Sequence, residues 1–294
     1  MLRPVVVGLD GSRESLAAAD WAAREALRRG APLRLVHAWE AMGKEPSTLP
    51  ELDAPRHWAR RILRDAMDRL DERYPQVHLS SEQLARPPVD ALVAAAEEAE
   101  LLVLGSRAFS GVGGFLAGSV ALATVARLTR PAVLVRADET PAGEREPATG
   151  GVAPERGPYR EVVVGVDTDH RCHDVLAFAY ESAALRSAPL RVVHAWRPPG
   201  ALGPGAEDLI GQEDAEQAVT SLLRPWGERF PEVEVRVQVQ NGRPAELLLH
   251  TARDACLLVV GRRIRPARLG THTGPVAHAA LHHVRCPVAV VPHE

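Results

Sequence analysis

Short apolar runs alternate with amphipathic stretches along the first half of the chain. The runs at residues 4–9, 33–39, 101–105 and 132–136 are rich in β-branched and aliphatic residues and do not alternate with polar ones. Such runs are typical of strands buried on both faces of a sheet. A weaker run at residues 77–85 predicts a further strand between the second and third of these.

The stretches between the runs predict helices. Ser12 is placed to cap the first helix, and Gly30 stands where a helix C-terminus favours glycine. Pro88 opens another helix, since proline is tolerated in a first turn, and a further helix is expected over residues 119–128. Residues 55–73 have a helical period, and their expected apolar side carries Trp58, Ile62, Met67 and Leu70.

The order of these elements predicts the fold class. Strands that alternate with helices indicate parallel strands joined by right-handed crossovers. We therefore predict an α/β fold: a doubly wound, Rossmann-like parallel sheet of five strands with helices on both faces. Ligands of such folds bind beyond the carboxyl ends of the strands, at the switch point, which directs attention to the residues after strands one, two and four.

The whole pattern occurs twice. APLRLVHAW at residues 31–39 recurs as APLRVVHAW at residues 188–196, an offset of 157 residues. ELLVLGSR at residues 100–107 recurs as CLLVVGRR at residues 256–263, an offset of 156. Matched blocks in the same order at a domain-sized period indicate a tandem duplication.

The duplication divides the chain into two expected domains, residues 1–137 and 159–294. Between them, residues 138–158 are rich in Pro, Gly and Glu and lack apolar periodicity. That composition predicts a solvated linker.

Charge and cysteine content exclude several classes of function. The net charge is −3 and no run of Lys and Arg stands out, so we expect no nucleic-acid partner and no membrane surface. No apolar stretch approaches the ~20 residues of a membrane span, and the N-terminus lacks the pattern of a secretory leader. The cysteines at 172, 256 and 286 form no CxxC and no disulfide framework. A cytoplasmic location is expected.

Candidate chemistry follows strands one and two. Asp10 can accept hydrogen bonds from a ligand, or can serve only to cap the next helix. Ala38 leaves room for a flat ring. For His37 and Trp39 we favour packing roles, His37 as a hydrogen-bonded strand residue, since no second ligand or base is spaced with it.

The glycine-rich stretch GSRAFSGVGGFLAGSV at residues 105–120 follows strand four. Gly118 and Ser119 stand at a predicted helix N-terminus, where unpaired amide groups favour an anion such as phosphate. A flexible surface loop is the alternative. The chain has no GxxxxGK[ST], and Leu116 stands where GxGxxG would need its last glycine, so two familiar nucleotide motifs are absent.

These residues resemble the universal stress protein (UspA-like) family in its tandem form. Nucleotide-binding members carry Gly, two residues, Gly, nine residues and Gly-Ser/Thr after strand four; Gly105, Gly118 and Ser119 fit that spacing, and Ala108 replaces the middle glycine. VVGLDGS at the start and VHAW after strand two are also similar to the family. The resemblance implies an adenine-nucleotide-binding fold with ATP, with or without Mg²⁺, as ligand.

The resemblance also implies which residues of the first copy form the site. Leu9, Asp10 and Ala38 would hold adenine and ribose. The ribose and phosphates would be held by Gly105, Arg107, Ala108, Gly118, Ser119 and Val120. For Arg107, exposure to solvent is the alternative. Family members pair through their last strands, which implies an intramolecular pseudo-dimer, or a homodimer.

The second copy departs from the motif. Its counterparts to the first site are Asp167, Ala195, Gly261 and Gly274. Ile264 replaces Ala108, and Pro275 replaces Ser119, which removes an N–H and a hydroxyl from the phosphate end. We expect weak or no ATP binding in this half. Two interpretations apply to Arg262, Arg263, Arg265 and Arg268. They could bind an anion in another way, but an exposed basic loop is the preferred interpretation.

His278, His282 and His283 have helical spacing near the C-terminus. His278 and His282 stand at i and i+4, as in some metal sites, but no carboxylate or cysteine of the local sequence completes a set. We expect no metal there and a pH-sensitive surface helix instead.

Three functions remain open. The preferred one is a stress-response or signalling protein that binds an adenine nucleotide without efficient turnover, since nothing in the loop offers a general base and no catalytic residue is predicted. The alternatives are a slow ATPase and a nucleotide-independent interaction protein.

Overall fold

The protein folds as two compact units, one formed by described residues up to Thr140 and the other by those from Pro141 onward. The computed structural model describes residues 2–39, 50–106, 118–147, 157–168, 170, 172–196, 206–264 and 273–294. No helix among these residues is long and apolar enough to cross a membrane.

The first unit is a doubly wound α/β domain. Its elements are β1 (Val5–Gly8), α1 (Arg13–Arg29), β2 (Leu33–Trp39), α2 (Pro50–Arg73), β3 (Leu79–Ala85), α3 (Pro88–Glu97), β4 (Leu101–Ser106), α4 (Ser119–Val125) and β5 (Ala132–Arg136). The strand order is β3-β2-β1-β4-β5 and every pairing is parallel. The chain therefore reverses its direction of travel across the sheet between β1 and β4, which confirms the predicted fold class.

The second unit repeats this architecture. Its elements are β6 (Val162–Gly165), α5 (His173–Arg186), β7 (Leu190–Trp196), α6 (Ala206–Arg229), β8 (Val235–Asn241), α7 (Pro244–Thr251), β9 (Leu257–Arg263), α8 (Pro275–His283) and β10 (Val288–His293), with a single 3₁₀ turn at Ala252–Asp254. Within this unit the order is β8-β7-β6-β9-β10, again parallel throughout.

The limits of α1 follow from its caps. The hydroxyl of Ser12 accepts a hydrogen bond from the N–H of Ser15 at 3.2 Å. Gly30 ends the helix in the left-handed region at φ 61°, where a side chain would be strained. Both predicted caps are confirmed. Between them α1 packs a face of alanines and the fully buried Trp21 on the sheet.

Two details of the sequence interpretation are wrong. Trp58 does not belong to the apolar side of α2; it is 59% exposed, with the guanidinium of Arg61 over its ring at 5.9 Å. The predicted Ile62 and Leu70 are buried, and Ala59, Leu63 and Ala66 complete the buried stripe. Alanine lets a helix approach the sheet closely, whereas an indole at position 58 would hold it away.

The second correction concerns the stretch expected to be a solvated linker. Glu144 within it is buried, and Arg145 forms an antiparallel bridge with Tyr159, its guanidinium 3.3 Å from the ring centroid. Arg160 donates from Nε to the carbonyl of Arg145 at 2.7 Å. These contacts hold the backbone near Arg145 against Tyr159 and Arg160. The attraction between the guanidinium and the aromatic ring offsets the conformational entropy lost when this segment is ordered.

The three cysteines are buried and none forms a disulfide, as their spacing predicts.

Candidate functional site

A cavity of about 250 Å³, here called the first cavity, lies at the carboxyl ends of β1, β2 and β4. The switch point of the sheet falls here, where a doubly wound fold leaves a crevice. Its described lining is Gly8, Leu9, Asp10, Ser12, Glu14, Ser15, Val36, Ala38, Pro88, Leu92, Leu104, Gly105, Gly118, Ser119, Val120 and Ala121.

The residues predicted for the first copy meet at this cavity. Those that line it are Leu9, Asp10, Ala38, Gly105, Gly118, Ser119 and Val120. Arg107 and Ala108 lie outside the described residues. Ser12, Glu14 and Ser15 also line the cavity but were not predicted from the sequence. They could have been, because α1 follows β1 directly and its start must lie near the carboxyl end of that strand.

Asp10 accepts hydrogen bonds from Ser12, the N-cap residue of α1, and also lines the cavity. Its Oδ1 accepts a hydrogen bond from the N–H of Ser12 at 2.9 Å and another from the Ser12 hydroxyl. The hydroxyl of Ser15 lies 3.4 Å from the Asp10 nitrogen. The two interpretations of Asp10 are therefore compatible, because the carboxylate is held in place by the helix start while it faces the cavity.

His37 is a hydrogen-bonded strand residue, as the sequence favoured. Its Nδ1 lies 2.7 Å from the carbonyl oxygen of Leu9. Since a carbonyl can only accept, Nδ1 carries the proton. The contact ties the end of β1 to β2 just before Asp10.

The two glycines of the motif have different structural reasons. A Cβ on Gly105 would lie 2.6 Å from the carbonyl carbon and 2.8 Å from the oxygen of Glu14, so this glycine lets α1 approach β4. Gly118 has an ordinary φ of −56°, and a Cβ there would meet no described atom within 4 Å. Packing therefore requires a glycine at 105, while at 118 the absence of a side chain keeps the cavity open.

Ser119 and Val120 begin α4 on the cavity side. Backbone N–H groups in a first helical turn have no acceptor within the helix and are free to bind another group. The side chain of Val120 is 39% exposed at the cavity.

The second unit has an equivalent cavity of about 360 Å³, here called the second cavity. The four residues predicted for this copy, Asp167, Ala195, Gly261 and Gly274, all line it. His194 repeats the contact of His37, with Nδ1 3.1 Å from the carbonyl oxygen of Val166.

The phosphate end of the second copy differs. Gly274 has φ 80°, a left-handed conformation that Gly118 does not share, and Pro275 occupies the first helical position without an N–H. Arg262 is 5% exposed, so the expectation of an exposed basic loop is wrong for this residue. Arg262 lies on a buried position of β9, and this burial lowers the pKa of its guanidinium. Arg263 is exposed; Arg265 and Arg268 lie outside the described residues.

The histidine helix α8 is not a surface helix on all sides. His282 is 8% exposed, and its ring centroid lies 4.3 Å from that of His278, which corrects the prediction for His282. Burial, His282 and His283 together lower the pKa of His278. The described residues contain no group of three or more metal-ligating side chains.

Two doubly wound units with a cavity at each switch point define a tandem α/β protein. The model of the Universal stress protein family matches residues 1–136 and 158–292. The universal stress protein Rv2005c of Mycobacterium tuberculosis is 33% identical over 297 residues, which cover 97% of this chain and 96% of that protein. Rv2623 of the same organism is 30% identical, covering 97% and 95%. The chain belongs to the universal stress protein family.

A solved structure agrees on the fold. The crystal structure of a universal stress protein from Archaeoglobus fulgidus matches with a TM-score of 0.71 at 16% identity, over 99% of this chain and 98% of that one. At this identity the likeness concerns the fold alone.

Proposed function

We propose that the first unit binds an adenine nucleotide, with ATP as the preferred form, and that the protein acts by carrying it rather than by turning it over. The observation that carries the proposal is the first cavity, where seven residues assigned from sequence converge at the switch point. Membership of the universal stress protein family supports it.

The inner part of the cavity suits a purine and ribose. Leu9, Val36 and Leu104 give it an apolar floor, and Ala38 presents only a methyl group. Pockets for small ligands combine such walls with a few fixed polar groups. Asp10 supplies one, since its carboxylate is oriented by Ser12 and can accept a hydrogen bond from a ribose hydroxyl.

The outer part suits phosphates. Ser119 offers a hydroxyl and, with Val120, backbone donors at the start of α4. Among the described lining residues the charged ones are Asp10 and Glu14, both acidic. A cation would offset the repulsion between a polyphosphate and these carboxylates in one cavity, and Mg²⁺, which prefers phosphate and carboxylate oxygens, suits that role. We therefore propose Mg²⁺ as part of the bound species.

Calorimetric titration of the full chain with ATP, in Mg²⁺ and then in EDTA, tests this proposal. We expect one ATP per chain and an affinity at least about tenfold lower in EDTA. Recovery of intact ATP after prolonged incubation supports carriage, whereas steady release of ADP supports the slow ATPase, for which Asp10 and Glu14 are the candidate bases.

Gly118→Val locates the site, and Gly227→Val is its matched control. Neither glycine has a described neighbour within 4 Å of a Cβ, but only Gly118 lines the cavity. We expect Gly118→Val to weaken ATP binding at least about tenfold and Gly227→Val to change it less than about twofold. Equal affinities of the two variants would place the nucleotide elsewhere, and no binding by the unmodified protein at millimolar ATP would favour the nucleotide-independent alternative.

A further inference from the structure

The second cavity differs from the first because α5 begins one turn later than α1. Arg13, the first residue of α1, corresponds to position 170 by the repeat offset of 157, yet α5 begins at His173. Both helices end at equivalent positions, Arg29 and Arg186. α5 therefore begins three positions later than α1 does.

The residues at the start of the two helices also differ. In the first unit the N–H of Ser15 bonds the Ser12 hydroxyl, and the Ser15 hydroxyl bonds the Ser12 carbonyl at 3.0 Å. Cys172 stands at the position of Ser15, and a thiol is a weak hydrogen-bonding group. Cys172 itself is the N-cap of α5 and makes no side-chain capping bond.

His170 lies between a carboxylate and a guanidinium. Nδ1 of His170 lies 2.8 Å from Oδ2 of Asp167, and its Nε2 lies 2.7 Å from Nη1 of Arg263. Because a guanidinium can only donate, Nε2 accepts and the proton resides on Nδ1, which donates to Asp167. Asp167, His170 and Arg263 are thus joined by hydrogen bonds at the second cavity. The first turn of α1 occupies the equivalent position in the first unit.

The hydrogen bond from Arg263 to His170 gives the second cavity a guanidinium in a fixed position. Arg263 is the only arginine or lysine among the described residues that line either cavity. Within the described part of the chain its hydrogen bond is made by Nη1, so the other N–H groups remain for a ligand. Asp167 lies across the imidazole from it, and the other titratable lining groups are His194, His293 and Cys172.

The rest of the cavity is apolar. Val166, Val193, Leu248 and Val260 form its walls, and at about 360 Å³ it falls in the range of sites for small organic ligands. At the start of α8, Pro275 lacks the N–H and the hydroxyl that Ser119 provides at the start of α4. Such a site suits a flat body with one anionic group rather than a polyphosphate chain.

We propose that the second cavity binds a small flat organic anion through the guanidinium of Arg263. The anionic group pairs with the guanidinium, in which charge-assisted hydrogen bonds give both strength and direction. His170 holds the guanidinium in position, and the apolar walls cover the flat body. The proposal is independent of nucleotide binding by the first unit.

Calorimetric titration of the full chain with 2-naphthoate and with its neutral isostere 2-naphthamide tests the charge requirement. We expect 2-naphthoate to bind at least about tenfold more tightly than the amide. Arg263→Gln should remove this difference, while the control Arg243→Gln, on an exposed arginine paired with Glu246, should keep it. Gly118→Val should bind 2-naphthoate like the unmodified protein.

Competition identifies the source of the anion. Displacement of 2-naphthoate by adenosine 5′-monophosphate that depends on Arg263 supports the proposal with a nucleoside monophosphate as ligand. Failure of the monophosphate to compete supports it with an aromatic carboxylate. Equal binding of naphthoate and naphthamide, or full binding to Arg263→Gln, would overturn it, as would ATP displacing naphthoate more strongly than the monophosphate does.

Discussion

Nδ1 of His37 lies 2.7 Å from the carbonyl oxygen of Leu9, in the last main-chain position before Asp10. His194 and Val166 repeat the arrangement at 3.1 Å. In both units an imidazole from the second strand therefore satisfies the carbonyl at which the first strand ends. The contact fixes the direction in which the chain leaves the sheet toward the cavity.

Replacement of His37 by Phe should destabilise the first unit by about 1–3 kcal/mol, because it leaves the Leu9 carbonyl in a buried position without its partner. His78→Phe is the control, since His78 is exposed, and should change stability by less than about 0.5 kcal/mol. Urea denaturation measures both. Equal midpoints for the two variants would show that the hydrogen bond contributes nothing.

The Gly105→Ala variant should lose about 1–3 kcal/mol, because its Cβ would fall 2.6–2.8 Å from backbone atoms of Glu14 and Ser15. Gly118→Ala should cost far less, since φ there is −56° and no described atom lies near. Thermal unfolding of the two variants without ligand compares them directly. Greater damage from Gly118→Ala would contradict the packing role assigned to Gly105.

Tyr180 is fully buried beside Trp226 and Phe230, and its hydroxyl has no hydrogen-bond partner among the described residues. Tyr180→Phe should therefore leave stability unchanged within about 1 kcal/mol or raise it. Tyr180→Ala should cost about 3–5 kcal/mol through the cavity it creates. Chemical denaturation distinguishes them, and a loss above about 2 kcal/mol in the Phe variant would reveal a partner for the hydroxyl.

The same burial raises the pKa of Tyr180 to about 12, from an ordinary value of 10.0. A raised pKa in the folded state favours the neutral phenol, so the contribution to stability is full below pH 10 and declines as the pH rises toward 12. Tyr180→Phe should flatten the loss of stability above pH 10. Denaturation midpoints across that interval provide the measurement; parallel curves would count against the shift.

His278 gives a pH effect of the opposite sense. Its pKa is lowered from 6.5 by burial and by His282 and His283, so the unfolded chain binds the proton more readily. Stability is full above pH 6.5 and falls as the pH drops through the lowered pKa. His278→Gln should lose less stability than the unmodified protein between neutral and acid pH. An unchanged acid limb in thermal denaturation would show that other groups control it.

The sequence predicted the strands, the parallel order and the caps of α1 because each has a local physical cause. β-branched runs mark buried strands, and Ser12 and Gly30 act within a few residues of their own positions. The first cavity was predictable for the same reason, since the ends of parallel strands meet at one edge. Its acidic lining at Glu14 was missed, because it depends on how α1 lies across the strand ends.

What the sequence could not give depends on packing between distant residues. The exposure of Trp58 and the burial of His282 follow from the angle at which a helix lies on the sheet. The later start of α5 was not predicted either, and the contact of His170 with Arg263 joins residues 93 positions apart. Periodicity within a single helix contains no signal for such a contact.

Glycine at positions 105 and 261 does not by itself indicate that a related chain binds a ligand. A side chain at 105 would collide with the backbone of Glu14, and one at 261 would lie 2.7 Å from the ring of His293. Backbone packing therefore requires glycine at 105, whatever the crevice holds, whereas the close neighbours of position 261 are side chains. A sequence profile that scores the glycine at 105 therefore detects the fold. For nucleotide affinity, the informative positions are Gly118 and Ser119.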